Sequence, residues 1–198
     1  MRSERPVLHF STISTRGAVE LIREAKQKGL PVSCDIAAHH LVFTEEDLMG
    51  FDTSLKVYPP FRSGDDIAAL RAGLDDGTID MIVSDHNSWD EEHKTLEFDA
   101  AEFGAIGLQT VFPVALEHVR TDGVLEKLVY NPRKIFRLGT TVLKAGEPAD
   151  LTVFSENEDY VFSNDRVRSK GKNSPFLGKT LKGLVRAVVN NGIFKKVN

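Results

Sequence analysis

The chain has 198 residues, a formal net charge of −4 and 41% hydrophobic residues, a globular composition with material for one domain and a part of another. The mild acidity argues against a nucleic-acid-binding protein, which would carry a basic patch or stripe, and no apolar run approaches the roughly 20 residues of a membrane span. The N-terminal MRSERPVLHF has no apolar signal-peptide core and the single cysteine, Cys34, cannot form an internal disulfide, so the expected location is cytoplasmic.

Residues 6–11, PVLHFS, read as a short buried strand. TRGAVELIREAKQKGL sets Ala18, Leu21, Ile22 and Ala25 at helical spacing, with Ser14 or Thr15 as N-cap and Gly29 as the stop. PVSCDIA is the next strand, on which Cys34 reads as a buried, inert thiol. Residues 38–63 read as irregular, because Pro59-Pro60 excludes regular structure. DDIAALRAGLDDG predicts a second helix ending at Gly77, DMIVSD a third strand, and FGAIGLQTVFPVALEHV a third helix near 104–119. This alternation predicts an α/β fold with a parallel sheet and helical crossovers. Two short helical pieces follow, DGVLEKLVY and NPRKIFRLG. GEPADLTVF and LVRAVVNNGIFKKV then read as strands, the second turning at Asn191-Gly192. Between these strands SNDRVRSKGKNSPFLGK is polar and turn-rich and reads as a solvated loop.

Two of the three parallel strands end in metal-capable side chains, His9 in VLHFS and Asp85 in MIVSD. Functional groups in parallel α/β folds gather at the C-terminal ends of strands. Singly, each has a structural reading: a satisfied core histidine and a helix-capping aspartate. Together at equivalent strand ends they keep a metal or catalytic reading open beside it. Histidine with aspartate suits zinc or manganese, and the absence of cysteine ligands argues against a closed structural zinc site.

These residues carry a resemblance. LHFSTISTRGAVELIREAKQKGLPVSCDIAAHHL resembles the dihydroorotase segment around the sixth barrel strand and the following His-His-Leu. VYPPFR resembles that family's Asn-Pro-Pro-Leu-Arg, and DGTIDMIVSDHNSWDEEHK its eighth-strand Ser-Asp-His-Ala-Pro-His with the later Glu and Lys. FGAIGLQTVFP, NPRKIFRLG, GEPADLTVF and KNSPFLGKTLKGLVRAVVNNGIF match in the same order. The chain is identified as a member of the dihydroorotase-like branch of the metal-dependent amidohydrolases, in its C-terminal part.

The resemblance implies a (β/α)₈ barrel with a small β-sandwich. Residues 1–144 would be a partial barrel with C-terminal helices, holding the last three β/α units, and residues 145–198 a portion of the sandwich. It implies that His9 binds the second metal of a binuclear zinc site, and that Asp85 binds the first and serves as general acid/base. The implied reaction interconverts carbamoyl aspartate and dihydroorotate in pyrimidine synthesis. Expected partners are a small-molecule substrate and either further copies of the chain or an aspartate carbamoyltransferase.

The chain also departs from the family. The first-strand His-x-His, the bridging fourth-strand residue and the fifth-strand His have no counterpart here. His39-His40 cannot replace the His-x-His, because neighbours on an extended strand point to opposite faces; a structural role at the strand mouth is expected, with one of them lining the pocket as the alternative. His93 and His118 read as surface residues. Tyr58 stands where the family has a substrate-binding Asn, and Trp89 where it has a His that contacts the substrate carboxylate. Arg62 matches the motif arginine, either for substrate or in a structural ion pair. The expectation is therefore an incomplete hydrolase, inactive as this chain alone. The alternatives are a non-catalytic dihydroorotase-like assembly partner and an allantoinase- or hydantoinase-type enzyme.

Overall fold

The computed structural model describes residues 7–119, 121–139 and 143–197. The first half alternates as the sequence predicts: β1 (Leu8–Phe10), α1 (Arg16–Gln27), β2 (Val32–Ala37), α2 (Gly64–Asp75) and β3 (Met81–Val83). The three strands are parallel in the order β1-β2-β3, with His9 opposite Ser33 and Asp35 opposite Met81. Thr15 caps α1 by accepting from Ala18 N at 3.2 Å. Ser63 and Asp66 form a reciprocal capping box at the start of α2. Asp66 also accepts from Arg16 N at 2.8 Å, which fastens the two helix starts together. Between β2 and α2 the chain makes three 3₁₀ turns, Ala38–Leu41, Glu45–Gly50 and Thr53–Leu55.

The third long helix starts later than expected. After a short α3 (Glu91–Lys94), α4 spans Val111–His118, and residues 104–109 are not helical. They lie alongside the segment that follows β3. Ala105 bridges His86 in parallel, Asn87 N donates to Ala105 O at 2.8 Å, and His86 Nδ1 accepts from Gly107 N at 3.2 Å. A Cβ at Gly107 would lie 1.9 Å from Ser84 O, so only glycine permits this approach. α5 (Thr121–Leu125), a π-helical turn (Glu126–Tyr130) and α6 (Asn131–Ile135) follow. Lys127 Nζ and Asn131 Nδ2 tie this run to Ile79 O and Asp80 O, at 2.7 and 2.9 Å, just before β3.

The C-terminal part forms one antiparallel sheet in the order β4 (Leu151–Val161), β5 (Thr180–Asn190) and β6 (Ile193–Lys196), turning at Asn191-Gly192 as predicted. It packs on α4, with the Phe112 and Phe154 rings 4.6 Å apart. One apolar cluster runs from Val19, Ile22, Cys34 and Ile36 to Phe162, Val167, Phe176 and Leu181. The expectation of a solvated loop between β4 and β5 is thereby corrected: Phe162, Val167, Asn173, Ser174 and Phe176 are buried. Its polar residues spend their hydrogen bonds inward, as with Lys172 Nζ on Val167 O at 2.9 Å. Cys34 is fully buried, and its thiol is pushed up to about 12 by burial and then by the Asp80 charge, which leaves no nucleophile.

β1 and β3 each have one unpaired edge among the described residues, and Leu8 and Phe10 remain 53% and 45% exposed. Parallel sheets normally have both faces covered, and an exposed apolar edge is normally paired or shielded. His39 and His40 are by contrast buried, with ring centroids 4.7 Å apart and both against Phe61. Burial lowers His39 to about 3, with His40 adding to it, and burial lowers His40 to about 4.

Two outcomes follow for stability. Gly107→Ala should cost roughly 3 kcal/mol or more in denaturant unfolding. Gly17→Ala, in open space within α1, should be neutral or stabilising by less than about 1 kcal/mol; equal effects would contradict the close approach. The histidine pair sets a pH slope. The unfolded imidazoles take up protons below about 6.5, whereas the folded ones refuse them down to about 4. The unfolded state then binds more protons, so stability falls as pH drops through this window, by about 1.4 kcal/mol per pH unit for each histidine. A double His39→Gln, His40→Gln variant measured by urea titration across pH 4–7 should lose that slope.

Candidate active site

Strand parity builds the site. Paired positions in a parallel sheet share a face, so His9, Ser33, Asp35, Ala37, Met81 and Val83 lie together, while Cys34, Ile36 and Ile82 face the helices. The shared face is polar towards β1. His9 Nε2 lies 2.8 Å from Asp35 Oδ2, and His9 Nδ1 lies 2.8 Å from Ser33 Oγ. Asp35 is 2% exposed and also accepts from Thr12 N at 2.7 Å and Ser11 Oγ at 3.2 Å. A carboxylate only accepts, so a neutral His9 carries its proton on Nε2 and accepts from Ser33 at Nδ1.

Asp85 is two residues beyond Val83, at φ 42°. Non-glycine residues in this left-handed region are uncommon, and such strain gathers at functional sites. Asn87 Nδ2 donates to Asp85 Oδ1 at 3.1 Å. Oδ2 is buried with no hydrogen bond, 3.7 Å from His39 Nε2, which is buried and unbonded too. Burial raises the Asp85 carboxyl above its ordinary value, against the Asn87 hydrogen bond and with help from the Asp35 charge. The Asp35 charge thus acts on both His9 and Asp85.

These groups fit a share of a metal site. Asp85 Oδ2 has open lone pairs, and His9 donates from Nε2 to a carboxylate as ligating histidines do, so a metal would take Nδ1 in place of the Ser33 hydroxyl. Among the described residues no three such groups converge, whereas a catalytic zinc takes about three protein ligands.

The other expected residues divide into two groups. Arg62 is half-buried near His40 and has no carboxylate partner among the described residues; its Nε is 3.5 Å from Ser14 Oγ, at the limit of a hydrogen bond. Tyr58 and Trp89 meet at Phe103 instead. Tyr58 is 74% exposed with its ring edge-on to Phe103, and Trp89 donates its indole N–H to Phe103 O at 2.8 Å. Trp89 also lines a cleft of about 520 Å³ with Lys94, Lys170 and Asn173, and His9, Asp35 and Asp85 are not among that cleft's walls. His93 is exposed and bonded to Asp90, and His118 is half-buried.

Sequence reasoning missed Asp35, Asn173, Lys56 and Lys94, and held a pocket role for His39 or His40 only as an alternative. Asp35 was detectable by parity, two residues from the Ser33 that opposes His9. His39 was hidden because a 3₁₀ turn, not a strand, follows Ala37, so the opposite-face argument does not apply there. Asn173 lies 84 residues from Trp89, whose backbone N–H it accepts. Lys94 and Lys56 are buried, donating to Gly104 O at 3.1 Å and Ala101 O at 2.6 Å, and so hold the loop that Trp89 touches. Burial, then the Lys56 charge, lowers Lys94 to about 8.

Comparison with known proteins places this geometry. The dihydroorotase of Pelotomaculum thermopropionicum is 41% identical over 191 residues, covering 93% of this chain and 45% of that protein. The dihydroorotase of a Thermoanaerobacter species is 41% identical over 194 residues, with 95% and 45% covered. Among solved structures, the L-hydantoinase (dihydropyrimidinase) from Arthrobacter aurescens superposes with a TM-score of 0.88 at 28% identity, over 96% of this chain and 45% of that one. The inactive dihydroorotase-like domain of a Chaetomium thermophilum CAD-like multifunctional protein shares the fold, with a TM-score of 0.71 at 24% identity over 95% and 50%. The chain spans about half the length of the relatives it matches. The amidohydrolase family profile matches residues 6–193, and the chain belongs to that family.

Proposed function

We propose that this chain supplies the sixth-to-eighth-strand share of a dihydroorotase-type, zinc-dependent cyclic amide hydrolase of pyrimidine synthesis. Residues 1–144 would be the barrel share, and 145–198 one share of a small β-sandwich. The observation that carries this is Asp85: a buried, unbonded carboxylate oxygen at a strained strand end, beside the His9–Asp35 pair. His9 and Asp85 would each hold one zinc, and the metals when bound polarise the amide carbonyl and acidify water. Asp85 removes a proton from the attacking water as the C–O bond forms. It then delivers that proton to the ring nitrogen as the C–N bond breaks, so the acid/base is returned unchanged. Asp35 keeps the His9 ring oriented. Arg62, with no carboxylate of its own among the described residues, is the group available for a substrate carboxylate. The open edges of β1 and β3 support completion by further strands, since a closed barrel leaves no edges.

A second reading, a hydantoinase-type substrate, is favoured by Trp89. Its N–H is spent on Phe103, so the substrate-carboxylate contact expected of that position is not on offer.

The test completes the barrel. The 198-residue chain assayed alone with zinc or manganese should show no turnover. Co-expressed with the N-terminal half of a 41%-identical dihydroorotase, it should hydrolyse dihydroorotate or a hydantoin, and Asp85→Ala should lower kcat by roughly 10³-fold or more. Tight stoichiometric metal and turnover by the isolated chain would show that the incompleteness argument is wrong. A folded, metal-loaded complement inert on both substrates would sink the hydrolase reading. In the active complement, Arg62→Met should raise KM about tenfold or more with kcat nearly unchanged, the signature of lost ground-state binding. An unchanged KM would remove Arg62 from the binding site.

A further inference from the structure

His39 is 3% exposed and follows β2 in the 3₁₀ turn Ala38–Leu41. Its Nε2 and Asp85 Oδ2 are both buried and unbonded, and they face each other at 3.7 Å. Leaving one such group unsatisfied costs about 1–3 kcal/mol. These two are complementary: one can donate and the other only accepts. An approach of under about 1 Å makes the hydrogen bond. The neighbouring histidine does not compete for the role. His40 Nε2 is 3.0 Å from Pro59 O, a carbonyl that only accepts, so its single N–H is already spent. Phe61 stands edge-on to the His39 ring at 5.6 Å and His40 lies tilted at 4.7 Å, so the imidazole plane is fixed by packing before any bond forms. Asp85 Oδ1 is meanwhile held by Asn87.

We propose that His39 is a positioning residue for Asp85: with a proton on Nε2 it donates to Oδ2 and, with Asn87 on Oδ1, fixes the plane of the carboxylate. The contact stands on geometry alone; its consequence for turnover rests on the hydrolase reading above. With both oxygens anchored the carboxylate cannot swing, and each oxygen keeps a second lone pair for a metal or a proton.

The test separates the two. In the ¹⁵N-histidine-labelled 198-residue chain, two-bond ¹⁵N–¹H correlation should show His39 as the Nε2–H tautomer. Asp85→Ala should shift its Nε2 resonance while leaving His40 in place. An Nδ1–H tautomer, or an Nε2 resonance indifferent to Asp85→Ala, overturns the proposal. Should that variant not fold, the wild-type chain decides: a scalar coupling across the hydrogen bond from His39 Nε2 to the Asp85 carboxyl carbon is expected, and its absence overturns the proposal. None of this reads turnover, so it survives or fails independently of the hydrolase assay. In a barrel that does turn over, His39→Leu should lower kcat about 10- to 100-fold with KM unchanged. His39→Gln, which keeps a donor at the same reach, should restore kcat to within about threefold. Equal losses in both variants would mean packing alone and would overturn the positioning role.

Discussion

Asn173 spends both amide protons and its carbonyl on the segment that carries Asp85 and on the loop beside it. Its Nδ2 donates to Asn87 O and Gly104 O, each at 3.0 Å, and its Oδ1 accepts from Trp89 N at 3.1 Å. Ile106 N donates to its backbone carbonyl at 2.8 Å. Ser88 Oγ adds a bond to Gly171 N at 3.1 Å, where a Cβ would lie 2.1 Å from Trp89 O. A left-handed residue such as Asp85 is not self-sustaining; surrounding structure has to over-determine it. Here that structure comes from residues 104–107 and 171–173, on the far side of the sequence. The C-terminal part is therefore a mechanical component of the strand-end site as well as a neighbour packed on α4.

This dependence explains which parts were legible in the sequence. The three strands and the first two helices announce themselves by periodicity, because each buries one local face against its immediate neighbours. The start of α4 does not. Residues 104–109 are apolar and helix-like in pattern, but Gly107 lets them run against Ser84 at a distance no side chain would allow. Likewise SNDRVRSKGKNSPFLGK is polar by composition, and polarity suggests water. Its Asn173 instead satisfies backbone carbonyls of Asn87 and Gly104 across the molecule, and Lys172 one of its own loop, which composition cannot reveal.

At the site itself the strand-end logic finds His9 and Asp85, because their positions follow from the strands alone. Asp35 follows from the same parity once β1 and β2 are in register. His39 requires knowing that Ala37 ends the strand. In a strand, adjacent histidines would point apart; in the 3₁₀ turn both rings fall inward against Phe61. The difference between two unused residues and a contact to Asp85 is one turn of backbone geometry.

Polar recognition at this site is accordingly redistributed. Trp89 has a single side-chain donor, and it is committed to Phe103. Tyr58 sits exposed at the rim of the same loop. Among the described residues Arg62 has no ion pair, and it lies close enough to His40 for its charge to be felt there. On that side His39 and His40 form a buried imidazole wall against Phe61. Burial disfavours the charged form of both rings, and the Arg62 charge pushes His40 the same way, so the wall adds no charge of its own beside the guanidinium.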